Sequence, residues 1–128
     1  MKETLPFPTD RLPLRETEWI DWYTANAHRN VLALTKLRDD AFGGCGTLGR
    51  ELYGYGYFDM TDEQSAHVDS LWKEYLTKMI DGFKAALLLG GEVKDDFWTP
   101  TESETEALRK KFSEGMELYT KYYFDLWD

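Results

Sequence analysis

An all-α fold built on three long helices is predicted by three features of the chain. Apolar residues recur at three- and four-residue steps over long stretches, Thr-initiated capping boxes open two of them, and glycine pairs stand where two of them stop. The expected form is a three-helix bundle, or an elongated helical hairpin with a third helix docked on it. All 128 residues read as a single helical domain. At 42% hydrophobic residues there is enough apolar material for a core, which argues against wholesale disorder.

Residues 1–14 carry Pro6, Pro8 and Pro13, which fix φ and remove donors, so an extended arm is expected there. Leu5, Phe7, Leu12 and Leu14 give that arm apolar points with which to lie against the body. Helical periodicity starts after Pro13. Ile20, Tyr23, Ala27, Val31, Leu34, Leu37 and Ala41 form one stripe. Acids near its start (Glu16, Glu18) and bases near its end (Lys36, Arg38) suit the helix dipole, and Gly43-Gly44 is the expected stop.

The second helix is the clearest. Thr61-Asp62-Glu63-Gln64 is a capping box, and Val68, Leu71, Trp72, Tyr75, Leu76, Met79, Phe83, Ala86 and Leu87 give a wide apolar face before Gly90-Gly91. From Asp62 to Leu89 this helix spans about 42 Å at 1.5 Å per residue. For the third helix the expected start is Thr99 as N-cap, Pro100 as first helical residue and Glu102 closing a second capping box. Its stripe reads Leu108, Phe112, Met116, Tyr119, Tyr123 and Leu126.

Between the first two helices, residues 43–60 read as a long Gly/Tyr loop. Connections of this length inside a small domain are often functional. If the segment is extended, Tyr53, Tyr55 and Tyr57 project to one side, separated by Gly54 and Gly56. Tyrosine with glycine is the pairing that adaptable binding loops use. The competing reading is that these rings only cover one end of the bundle.

Gly44-Cys45-Gly46-Thr47-Leu48-Gly49 matches G-x-G-x-x-G, but the dinucleotide motif needs a strand before it and a helix after it within a βαβ unit. A softer expectation is that the amides around Gly44, Gly46 and Gly49 cradle an anion beside Arg50. Cys45 with His28 or His67 has no supporting catalytic signature, and neither histidine follows a glutamate at the spacing a carboxylate-bridged metal site uses. No catalytic residue, cofactor or metal site is expected.

The net charge is −9, and two stretches account for the whole excess. One holds Asp59, Asp62, Glu63 and Asp69; the other holds Asp95, Asp96, Glu102, Glu104 and Glu106 with Glu92 and Lys94. Acids at helix starts are favoured by the dipole, and an up-down-up order places these two starts at opposite ends. Such a balance disfavours direct nucleic-acid binding, which needs Lys and Arg to displace counterions. The longest apolar run, Ala85–Leu89, is far short of a membrane span, so no membrane partner is expected. One cysteine and the lack of an apolar segment after Met1 make a reducing, cytoplasmic setting the expectation.

Aromatic surplus is the remaining clue. With Tyr119, Tyr123 and Leu126 facing inward, Tyr122, Phe124 and Trp127 are expected to point elsewhere, as are Trp19 and Trp22 beside Ile20 and Tyr23. Together with Tyr53, Tyr55, Tyr57 and Phe58 these are the candidate partner-binding residues. The functional expectation is a non-enzymatic acidic module that occludes a basic surface on a partner protein, of the inhibitor or immunity type, a phage or mobile-element product included. The alternatives are a binder of an anionic, nucleotide-like small ligand on the Gly/Tyr loop, and a homo-oligomeric assembly subunit.

Overall fold

The computed structural model describes residues 18–41, 44–90 and 99–127. Among them the chain is all-helical, with no strand. There are four α-helices: α1 (Trp22–Asp40), α2 (Gly46–Tyr53), α3 (Asp62–Leu89) and α4 (Glu102–Lys121), with short 3-10 turns at Glu18–Asp21, Tyr57–Asp59 and Tyr123–Asp125. The expected arm, residues 1–14, lies outside the described residues, as do Gly43 and Gly91.

The organising element is α3. Its capping box forms as the sequence requires: the Gln64 amide donates to Thr61 Oγ1 and the Thr61 amide donates to Gln64 Oε1. Val68, Trp72, Leu76, Met79, Ile80 and Phe83 are buried along its length. Both α1 and α4 pack along α3 and barely touch each other. Tyr23 lies against Gly90, and Arg38 Nη1 donates to Thr77 Oγ1, so α1 runs antiparallel to α3. Lys111 faces Gly82 and Tyr122 faces Trp72, so α4 is antiparallel to α3 as well.

Between α3 and α4 the crossing is made by two glycines. A Cβ on Gly82 would stand 3.0 Å from the Gly115 Cα, and one on Gly115 would stand 2.8 Å from the Lys78 carbonyl oxygen. These neighbours are backbone atoms, so the helices meet at a distance no side chain permits. Flanking the crossing, Phe83 and Tyr119 meet edge to face at 5.1 Å.

Three expectations are corrected. Residues 43–60 are not an extended loop, because α2 and a 3-10 turn fold out of them. The rings of Tyr53 and Tyr55 therefore do not project as a ribbon. The N-cap of α4 is Thr101, not Thr99: Glu104 closes the box, with both bonds formed at 3.1 and 3.2 Å. Finally, Ile20 and Tyr23 do not belong to a buried stripe of α1. Asp21 has φ −135° and ψ 63°, which breaks the helical register, so Ile20 sits in the preceding turn and is 67% exposed. Tyr23, also exposed, reaches only the end of α3 at Gly90. The part of the stripe that packs inward is Ala27, Val31, Leu34 and Leu37. No described helix is long and apolar enough to cross a membrane.

Candidate functional site

At one end of the bundle, α2, the start of α3 and the tail after α4 come together. Two glycines among its eight residues, Gly46 and Gly49, leave α2 with low intrinsic helix propensity, so tertiary contacts must hold it. Leu48 is buried in the core, and Gly49 lacks the Cβ that would fall in the space of the Met60 methyl group. Gly54 ends the helix in the left-handed region, φ 78°, with its amide donating to the Arg50 carbonyl. Thr47 Oγ1 donates to Asp125 Oδ1 at 2.7 Å, and the Tyr122 hydroxyl donates to Glu51 Oε2 at 3.0 Å. Lys121 Nζ pairs with the same Glu51 oxygen at 3.3 Å and lies 5.1 Å from the Tyr122 ring centre.

Tyr122 is the main correction among the candidate residues. It is not part of an exposed aromatic surface; it is 1% exposed, stacked against Tyr75 at 5.7 Å and edge-on to Trp72 at 5.5 Å. Tyr123, expected inside, is 53% exposed instead. The reason is the phase of α4. Gly115 and Tyr122 are buried, with Met116 and Tyr119 packed against the core beside them, and a stripe stepped from Met116 through Tyr119 arrives at Tyr123 where one stepped from Gly115 arrives at Tyr122. Burial pushes the phenols of Tyr119 and Tyr122 above their ordinary value, and the Glu51 carboxylate adds to the effect at Tyr122.

Tyr53 packs against the core cluster, 6.5 Å from the Tyr55 ring and edge-on to His67 at 6.2 Å. The Tyr55 hydroxyl donates to Gln64 Oε1 at 2.6 Å, so this half-exposed ring is pinned to the capping box of α3. Phe58 and Phe124 stand out into solvent, Phe124 90% exposed, and Trp127 is 73% exposed. Asp59, Asp62 and Glu63 lie at this same end and are exposed, with Asp69 two turns into α3. The structure thus brings together two sets of residues that are separate in the sequence: the aromatic tail and the first acidic group.

Other candidates are placed elsewhere. Trp22 is exposed at the start of α1, beside the far end of α3. Glu102, Glu104 and Glu106 open α4 at that far end, while Asp95, Asp96 and the side chains of Trp19 and Tyr57 lie outside the described residues. Gly46 and Gly49 are inside α2, and Gly44 precedes it, so these glycines do not form a loop of free amides; Arg50 is exposed on the same helix. The Asp125 carboxylate already stands at the first turn of α2, where an anion would be drawn. His28 is exposed on α1, and Cys45 is buried at the N-cap of α2. Among the described residues no group of three or more His, Cys, Asp or Glu converges as metal ligands.

No protein-family model matches the chain, and no characterised protein or solved structure is significantly similar to it.

Proposed function

We propose that the protein is a non-enzymatic binding module that occludes a surface of a partner protein with the end of the bundle built from α2, the start of α3 and the C-terminal tail. The observation that carries this reading is the exposure of Phe124 and Trp127 at the same end of the helices as the exposed acids Asp59, Asp62 and Glu63. Large exposed rings are unfavourable in water and are the residue types that dominate interface energetics when covered. Carboxylates at the same end steer encounter with a basic surface and disfavour acidic ones. Occlusion of a basic partner surface is the action of an inhibitor or immunity-type protein, and the proposal takes that form. A nucleotide-like ligand on the glycine segment has less support, since Gly46 and Gly49 are helical and Asp125 occupies the position of the anion.

The test compares the tagged wild-type chain with Phe124→Ala/Trp127→Ala in affinity capture from nuclease-treated lysate of the producing cell. Recovery of one stoichiometric partner that is lost with the double variant is expected. The pair should weaken binding by about 2 kcal/mol or more, roughly thirtyfold in Kd, with stability unchanged within about 0.5 kcal/mol. Recovery of the bait alone, or equal capture by both proteins, overturns the reading.

A further inference from the structure

We propose that the turn after α4, Tyr123–Asp125 with Leu126 and Trp127, is a strap that caps α2 from 78 residues away, so that α2 and the turn open and close as one unit while α3 stays folded.

Helix α2 lacks what a helix start needs. It has eight residues, and isolated helices shorter than about 12 are marginal in water even without glycine. Its N-cap residue, Cys45, makes no side-chain bond to the first amides, and its first turn holds no acid. A capping oxygen and a negative charge are the two groups that stabilise this end of a helix. Asp125 brings the missing charge there: its Oδ1 accepts from the hydroxyl of Thr47, the second helical residue, at 2.7 Å. One turn further on, Glu51 Oε2 meets the Tyr122 hydroxyl at 3.0 Å and Lys121 Nζ at 3.3 Å. Both halves of α2 are therefore held from the end of α4.

The turn depends on α2 in the same way. Tyr122 is the last residue fixed in the core, and after it Tyr123, Phe124 and Trp127 are exposed. Leu126 packs against the core and Asp125 bonds to Thr47. The backbone bonds of the turn, from the Asp125 amide to the Tyr122 carbonyl at 2.9 Å and from the Leu126 amide to the Tyr123 carbonyl at 3.3 Å, shape it without fastening it to α2. Opening uncovers Leu48, whose burial closes the core beneath α2. By contrast, α3 has its own capping box and a buried run from Val68 to Phe83, which neither α2 nor the turn supplies. The strap operates whether or not the exposed rings of the tail bind a partner.

Amide hydrogen exchange of the full-length chain, read residue by residue, tests the strap. In the wild type the amides of Arg50 to Gly54 should open together with those of Asp125 and Leu126, at least about tenfold more often than Met79 and Ile80 of α3. Asp125→Ala should speed exchange across α2 by about tenfold, the Gly54 amide at its far end included, as loss of a hydrogen bond to a charged group implies. Met79 and Ile80 should be unmoved. Thr47→Val leaves the tail untouched and has similar helix propensity, and it should speed the Asp125 and Leu126 amides by about fivefold, because the coupling is reciprocal. Exchange in Asp125→Ala that stays at the wild-type rate, or quickens only in the first turn of α2, makes the carboxylate a local contact and overturns the proposal. Equal acceleration in α3 means that the whole chain opens and overturns it too, as do tail amides unmoved by Thr47→Val.

Discussion

Gly82 of α3 and Gly115 of α4 meet backbone to backbone, each close enough that a Cβ on one would lie 3.0 Å from the Cα of the other. An alanine at either position should favour its own helix by about 1 kcal/mol over glycine. It must also push apart two helices whose blocking atoms, the Lys78 and Lys111 carbonyls, are main chain. Overpacking of that kind costs about 1 to 3 kcal/mol. Gly115→Ala, with the tighter 2.8 Å approach, should therefore lose stability in urea unfolding, and Gly115→Leu should lose more. A stabilised Gly115→Ala would mean that the helices do not cross this closely.

Tyr122 makes a second prediction that separates burial from hydrogen bonding. Tyr122→Phe keeps the ring between Trp72 and Tyr75 and removes only the bond to Glu51, which retains Lys121 as partner. A loss of about 0.5 to 1.5 kcal/mol is expected for a hydrogen bond of this type. Tyr122→Ala empties the slot and should cost about 3 to 5 kcal/mol, as large core aromatics do. Equal losses for the two variants in denaturant titrations would contradict the packing described here.

These two sites also show where the sequence is legible. The bounds of α3 follow directly from Thr61, Gln64 and the apolar face, because local capping and tertiary packing agree there. For α4 the sequence carries two overlapping boxes, Thr99–Glu102 and Thr101–Glu104, and local chemistry does not separate them. The structure forms the second. Gly115 carries no apolar side chain, so a stripe drawn through hydrophobic residues passes over it and assigns Tyr123 to the core in place of Tyr122. Two glycines lying on facing apolar stripes are the signal that would have corrected this. The short helix α2 was hidden for a different reason: Gly46 and Gly49 argue against a helix locally, while Leu48 burial and the Thr47–Asp125 and Glu51–Tyr122 bonds are non-local. The same two bonds explain how the aromatic tail and the first acidic group come to share one end.

Cys45 makes the third prediction, in pH. Burial, with the Asp125 carboxylate nearby, pushes its thiol from the ordinary 9.0 up to about 11. At pH 8 a thiol of that kind is about one part in a thousand thiolate, against roughly a tenth for a thiol at the ordinary 9.0. Labelling by a disulfide reagent at pH 8 should thus be roughly 100-fold slower in the native protein than in urea, because the thiolate is the reacting species. The same shift acts on stability. A folded-state value above the unfolded one means that the unfolded chain loses its proton first as pH rises. The contribution is therefore whole below about pH 9 and disappears between about 9 and 11. Tyr119 and Tyr122 are raised too and add a decline of the same sign from about pH 10 upward. Cys45→Ala should remove the part of the decline that begins near pH 9 and leave the tyrosine part. Unfolding free energies measured from pH 7 to 11 decide it: if the variant falls as steeply as wild type between pH 9 and 10, the thiol is not the group responsible.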